Sequence, residues 1–191
     1  MARTPSTMLE LGTQAPEFNL PEPLTGNMVS LSDYAGKPIL IVFTCNHCPY
    51  VINLRESFTE FVKTNQEKGL SVIAISANDA DKYQDDSPAK MILEAKENGF
   101  TYPYLFDESQ QTAAAYKAAC TPDFFLFDSA HTLYYRGQYD DSRPGNKISA
   151  TGNDLQEAVD NLLEGKAAPS EQKASLGCGI KWKSGNEPDY S

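Results

Sequence analysis

Apolar positions along the chain fall into short continuous runs and helical spacings that follow one another in a regular order. Lys37-Pro38 opens Ile39-Leu40-Ile41-Val42-Phe43, a largely β-branched run with no polar alternation, as expected of a strand in the middle of a sheet covered on both faces. Val51, Leu54, Phe58, Phe61 and Val62 then recur at helical spacing until Gly69, and Val72-Ile73-Ala74-Ile75 predicts a second buried strand. Ser87-Pro88 predicts a helix start with a cap and a first-turn proline; Met91, Ile92 and Ala95 form its inner face and Gly99 its end. Asp107 predicts the cap of a short helix through Tyr116. Asp123-Phe124-Phe125-Leu126-Phe127 and Thr132-Leu133-Tyr134-Tyr135, joined by Asp128-Ser129-Ala130-His131, predict a hairpin with His131 in its turn. A last helix carries Leu155, Val159, Leu162 and Leu163 and ends at Gly165. Pro5, Pro16, Pro21 and Pro23 predict an irregular start, with Val29-Ser30-Leu31 as a short strand.

The order strand, helix, strand, helix, short helix, hairpin, helix is that of the thioredoxin fold: early parallel pairing, then an antiparallel hairpin and a closing helix. The expectation is an α/β domain over residues 13–165, a central mixed sheet flanked by helices, with an N-terminal arm (1–12) and a C-terminal tail (166–191) packed through Cys178, Ile180 and Trp182. The 40% hydrophobic and 22% charged residues are ordinary for one globular domain. Sixteen basic against 26 acidic residues leave a net charge of −10, which repels phosphate backbones, so no nucleic-acid partner is expected. No apolar run approaches the roughly 20 residues of a membrane helix, so no membrane partner is expected. Met1 to Gly12 carry no charged-then-apolar leader, and the expected location is the cytoplasm.

Cysteine usage sharpens the picture. Cys45 and Cys48 flank Asn46-His47 between the buried strand and the first turn of a long helix. Free N–H groups and the helix dipole stabilise an anion there, which favours a thiolate, a better nucleophile and leaving group than the thiol. An imidazolium at His47 would add to this, making Cys48, Cys45 and His47 the candidate catalytic residues. Thr121-Pro122, directly before the strand 123–127, is the candidate substrate-contacting segment. Cys120 and Cys178 are candidate resolving thiols, each with a plainer reading as a buried small residue or a tail anchor. Asp79, Asp81, Asp85 and Asp86 read as a solvated acidic loop, without the ligand spacing of a calcium-binding hand.

Ala15-Pro16-Glu17-Phe18-Asn19-Leu20, Val29 to Pro38, the apolar strand and the cysteine pair together resemble the alkyl hydroperoxide reductase/thiol-specific antioxidant superfamily. Asn46-His47-Cys48-Pro49-Tyr50 and Leu176-Gly177-Cys178-Gly179-Ile180-Lys181-Trp182 resemble its peroxiredoxin-like branch, and the similarity spans roughly residues 10 to 183. The resemblance implies a thioredoxin fold, a cis-proline at Pro122 lying against the active cysteine, and thiol chemistry without an organic cofactor.

Two features depart from that family. Pro38 stands seven residues before Cys45, as before a peroxidatic cysteine, but the Thr or Ser expected three residues before it is Val42, and Cys120-Thr121-Pro122 replaces the expected arginine. Peroxide bound there lacks polarising donors, so slow peroxidase chemistry is expected. Phe43 stands five residues ahead of Cys48, the spacing from strand end to nucleophile in related thioredoxins. That register assigns attack to Cys48 and leaves Val42 where thioredoxins keep a buried acid. The resulting expectation is a thiol-dependent oxidoreductase acting on a disulfide or peroxide, re-reduced by a thioredoxin-like protein or a small thiol. The alternatives are a Cu(I)- or Zn(II)-binding protein using Cys45, His47 and Cys48, and a redox-inactive binding module.

Overall fold

The computed structural model describes residues 3–190. In chain order its elements are β1 (Arg3–Pro5), β2 (Asn19–Pro21), β3 (Met28–Ser30), β4 (Ile39–Phe43), α1 (Pro49–Glu67), β5 (Ser71–Ser76), α2 (Pro88–Glu97), β6 (Tyr104–Phe106), α3 (Gln111–Ala115), β7 (Cys120–Thr121), β8 (Asp123–Phe127), β9 (Leu133–Tyr135), α4 (Asn153–Leu163) and β10 (Leu176–Gly179). The main sheet has the order β6-β5-β4-β8-β9, with β4, β5 and β6 parallel and β8 and β9 antiparallel. This is the thioredoxin fold.

The continuous apolar character of β4 has a direct cause. Leu40 and Val42 point to the face covered by α1, α2 and α4, where Leu54, Phe58, Val62, Met91, Leu155 and Val159 pack. Ile39, Ile41 and Phe43 point to the opposite face, closed by Phe18, Leu20 and Leu31 from the N-terminal segment and by Ala113 and Tyr116 near α3. Both faces exclude water, so neither can carry polar side chains.

Some elements differ from expectation. The three-residue β6, missing from the predicted order, is too short to show a period. The early strand covers Met28–Ser30 and pairs with β2; Leu31 instead begins a 3₁₀ turn and is 1% exposed. Asp107 accepts a hydrogen bond from Ala113 N–H at 2.9 Å, but the residue capping α3 is Gln110, in a left-handed conformation. The terminal segments contribute more than an arm and a tail. β1 and β7 sandwich β10 in a small antiparallel sheet, with Cys178 opposite both Arg3 and Thr121. Thr121-Pro122 is a cis peptide and joins this small sheet to β8.

Asp123, the first residue of β8, lies fully buried beside that junction. Its Oδ2 accepts from Ala119 N–H at 3.2 Å, while burial pushes its carboxyl up from 3.8 to about 7. Between those pH values the folded chain holds a proton that the unfolded chain has released. This group's contribution to stability therefore falls as pH rises through the window, by at most about 1.4 kcal/mol per pH unit. Asp123→Asn should flatten the pH dependence of urea unfolding over that range; identical slopes for both proteins would show that Asp123 ionises normally.

Candidate functional site: a buried cysteine cluster at the start of α1

Beyond Phe43 the chain leaves the sheet at Thr44, whose N–H still bonds to Ile75 C=O at 2.9 Å, and turns through Cys45-Asn46-His47 into α1. Cys48 is the N-cap of the helix and Pro49 its first residue, a place where proline sacrifices no intrahelical hydrogen bond. Cys45, Cys48 and Cys178 form one packed cluster, 2%, 0% and 3% exposed. The Cys48 and Cys178 sulfurs are 2.8 Å apart, close enough for a disulfide of ordinary geometry after a small movement. In its thiol form Cys48 donates to Thr121 C=O at 3.2 Å, and Cys45 Sγ lies 3.4 Å from Thr121 Oγ1. Thr121-Pro122 thus meets the cysteines as the sequence reading placed it. Cys120 is fully buried, and its sulfur faces the Pro122 carbonyl at 3.6 Å.

The three clustered thiols do not share charge equally. Hydrogen bonding from Cys45 is the largest influence lowering Cys48, to about 5, and the Cys178 thiol and first-turn N–H of Val51 act the same way against the cost of burial. Cys45 moves well up, because its proton is held on the Cys48 sulfur and because burial and the Asp86 carboxylate both disfavour a second negative charge. Burial pushes Cys178 up to about 12, reinforced by its hydrogen bond to Cys48. The arrangement favours the charge on Cys48 and disfavours it on Cys45 and Cys178.

Asp86 corrects the expectation of a solvated acidic loop. Asp81 and Asp85 are exposed, but Asp79 is 3% exposed and Asp86 is completely buried. Asp86 Oδ1 accepts from Asn46 N–H at 2.8 Å; Oδ2 accepts from the Asn78 amide at 2.8 Å and pairs with His47 Nδ1 at 2.7 Å. The His47 ring stacks on Tyr83 with 5.7 Å between centroids. Asn46 is also tied to Asp85 C=O, Tyr104 OH and Arg55, whose guanidinium pairs with Glu94 at 2.7 Å. Arg55, Glu94, Tyr102 and Tyr104 line a pocket beside Cys45. Nothing in the local pattern distinguishes Asp86 from Asp85; the one available signal was a histidine beside a nucleophile with no evident acid partner. Cys45, His47 and Asp86 bring possible metal-ligand atoms within 4.8 Å of one another, a set in which Asp86 replaces the expected Cys48. Both Asp86 oxygens are already engaged, Oδ1 by Asn46 N–H and Oδ2 by the Asn78 amide beside His47 Nδ1, an arrangement suited to positioning the loop.

The AhpC/TSA family profile matches residues 11–136, well over half of the chain. The chain belongs to the AhpC/TSA family. Among curated relatives of this AhpC/TSA protein, a Mycobacterium tuberculosis protein provisionally named a peroxiredoxin is 30% identical over 120 residues, covering 60% of this chain and 68% of its own length. The thiol-disulfide oxidoreductase ResA of Geobacillus kaustophilus is 27% identical over 127 residues, covering 65% of this chain and 67% of its own. A crystal structure of a conserved Geobacillus kaustophilus protein, described as uncharacterized, superposes with a TM-score of 0.93 at 47% identity, covering 96% of this chain and 97% of its own. No helix among the described residues is long and apolar enough to cross a membrane.

Removing the Cys45 donor should raise the Cys48 titration midpoint. Cys45→Ala is expected to move it from near 5 toward the ordinary cysteine value of about 8.5. Cys45→Ser, which keeps a donating hydroxyl, should shift it less. Thiolate ultraviolet absorbance against pH reads both; equal midpoints in all three proteins would remove Cys45 as the donor.

Proposed function

We propose that this AhpC/TSA protein is a thiol–disulfide oxidoreductase in which Cys48 is the attacking thiolate. The observation that carries the reading is the position of Cys48 at the N-cap of α1, in contact with Cys178 and with the carbonyl before the cis-proline. The Cys48 sulfur attacks one sulfur of a substrate disulfide, forms a mixed disulfide and expels the other substrate sulfur as a thiolate. A second cysteine of the cluster then attacks Cys48 and releases the remaining substrate thiol. An external dithiol protein or small thiol returns the resulting disulfide to the reduced state. His47, anchored by Asp86, is the proton acceptor that Val42 cannot be.

Cys48→Ser should abolish reduction of a protein disulfide, whereas Cys45→Ser should keep a thiol that reacts with iodoacetamide below pH 7. The reverse pattern would transfer the nucleophile's role to Cys45.

Peroxide is the weaker substrate on this reading. Val42 is buried among apolar side chains and offers no hydroxyl, and Arg55, which lines the pocket beside Cys45, is engaged by Asn46 C=O and Glu94. One missing preorganised donor costs about 10²–10³ in rate, so hydrogen peroxide consumption should fall at least that far below a dedicated peroxidase. Stopped-flow measurement of Cys48 oxidation decides this; a fast reaction would place the preference on peroxides.

A further inference from the structure

β10 is an extended, cysteine-bearing segment that runs antiparallel to the edge leading into the cis-proline. Cys178 stands opposite Thr121 and Gly179 opposite Cys120, and Ile180 N–H bonds to Ala119 C=O at 3.1 Å. That pairing delivers the Cys178 sulfur to within 2.8 Å of Cys48 and leaves Cys48 with no exposed surface. The residue before Cys178 is under an equally tight constraint. A Cβ on Gly177 would lie 2.0 Å from Thr121 O and 2.6 Å from its carbonyl carbon, so only glycine lets the strand approach this closely.

We propose that β10 is a tethered peptide substrate. Leu176-Gly177-Cys178-Gly179 fills the edge on which an extended segment of a target protein docks, and the favoured target carries glycine immediately before its reactive cysteine. This rests on Cys48 being the nucleophile. Main-chain pairing to Cys120-Thr121 supplies general affinity for an extended segment, and the contact at Gly177 supplies selectivity. A target disulfide reaches Cys48 when β10 leaves. The Cys48 thiolate bonds to the target cysteine, and that cysteine's former partner leaves as a thiolate. When β10 returns, Cys178 gives up its proton and attacks Cys48. The Cys48–Cys178 bond forms and the target cysteine departs, taking up the proton as a thiol. An external dithiol then reduces Cys48–Cys178, reopening the cycle.

Two experiments test this. Gly177→Ala, which leaves every cysteine in the sequence, should prevent docking of β10. With diamide as oxidant, peptide mapping should find Cys48–Cys178 in the unaltered chain but not in Gly177→Ala. Without oxidant, Cys48 should alkylate at least about tenfold faster in the variant, because local opening no longer limits access. The second experiment does not depend on that variant folding. Cys178→Ser protein is mixed with the symmetrical disulfide of Leu-Gly-Cys-Gly-Ile or of Leu-Val-Cys-Gly-Ile, and the mixed disulfide with Cys48 is followed by mass spectrometry. The glycine peptide should react about tenfold faster or more. A reactive Cys48 that responds equally to both peptides, or to both protein forms, overturns the tethered-substrate proposal alone. A Cys48 with no reactivity below pH 7 in any of these proteins overturns the oxidoreductase reading as well.

Discussion

The constraint around which this molecule is arranged is a Cys48 sulfur buried among donors that favour its thiolate. Burial alone would keep Cys48 protonated, and its carbonyl neighbour on Thr121 favours the thiol as well. What favours the thiolate is the set of donors that converge on it: the Cys45 and Cys178 thiols and the first turn of α1. None of these is strong by itself. Their sum requires the strand end, the helix start and the C-terminal strand to meet within a few ångströms, and the rest of the fold serves that meeting.

The loop Cys45-Asn46-His47 shows how the meeting is held. It has no regular secondary structure, yet Asp86, Tyr104 and Arg55 occupy its polar groups from three different elements. Asp86 is a fully buried acid, a costly placement unless its oxygens find donors. Asn46 N–H, the Asn78 amide and His47 meet that need. The hydrogen bond to Cys48, burial and this carboxylate all favour Cys45 as a thiol, the form in which it donates to Cys48. The buried charge that fixes the loop thus also adds to the asymmetry between the two cysteines.

β10 adds a further economy. The chain needs a cover for Cys48 and a second thiol beside it, and one strand provides both. Its glycines weaken it as an isolated strand, since each lacks a side chain to pack. Pairing with β1 on one side and β7 on the other compensates, so the strand is ordered by its neighbours.

Much of this protein was legible before folding was considered. The double-faced apolar runs 39–43 and 123–127, the helical spacing from Val51 to Val62 and the placement of Cys48-Pro49 at a helix start follow from local periodicity and from proline's missing N–H, and each is present. The sequence also determined which residue types were available for thiol chemistry and that Cys48 stands five residues beyond Phe43. Other features were decided in three dimensions. Asp86 reads like its exposed neighbour Asp85 because burial depends on what lies across the fold, some forty residues from Asn46. β1 and β10 are too short to announce themselves, since their order comes from partners distant in the chain, Cys178 pairing with both Arg3 and Thr121. Local pattern encodes what a segment can form; only tertiary structure brings a carboxylate, a distant cysteine and a glycine into contact, because those contacts are paid for by the whole core rather than by the segments that make them.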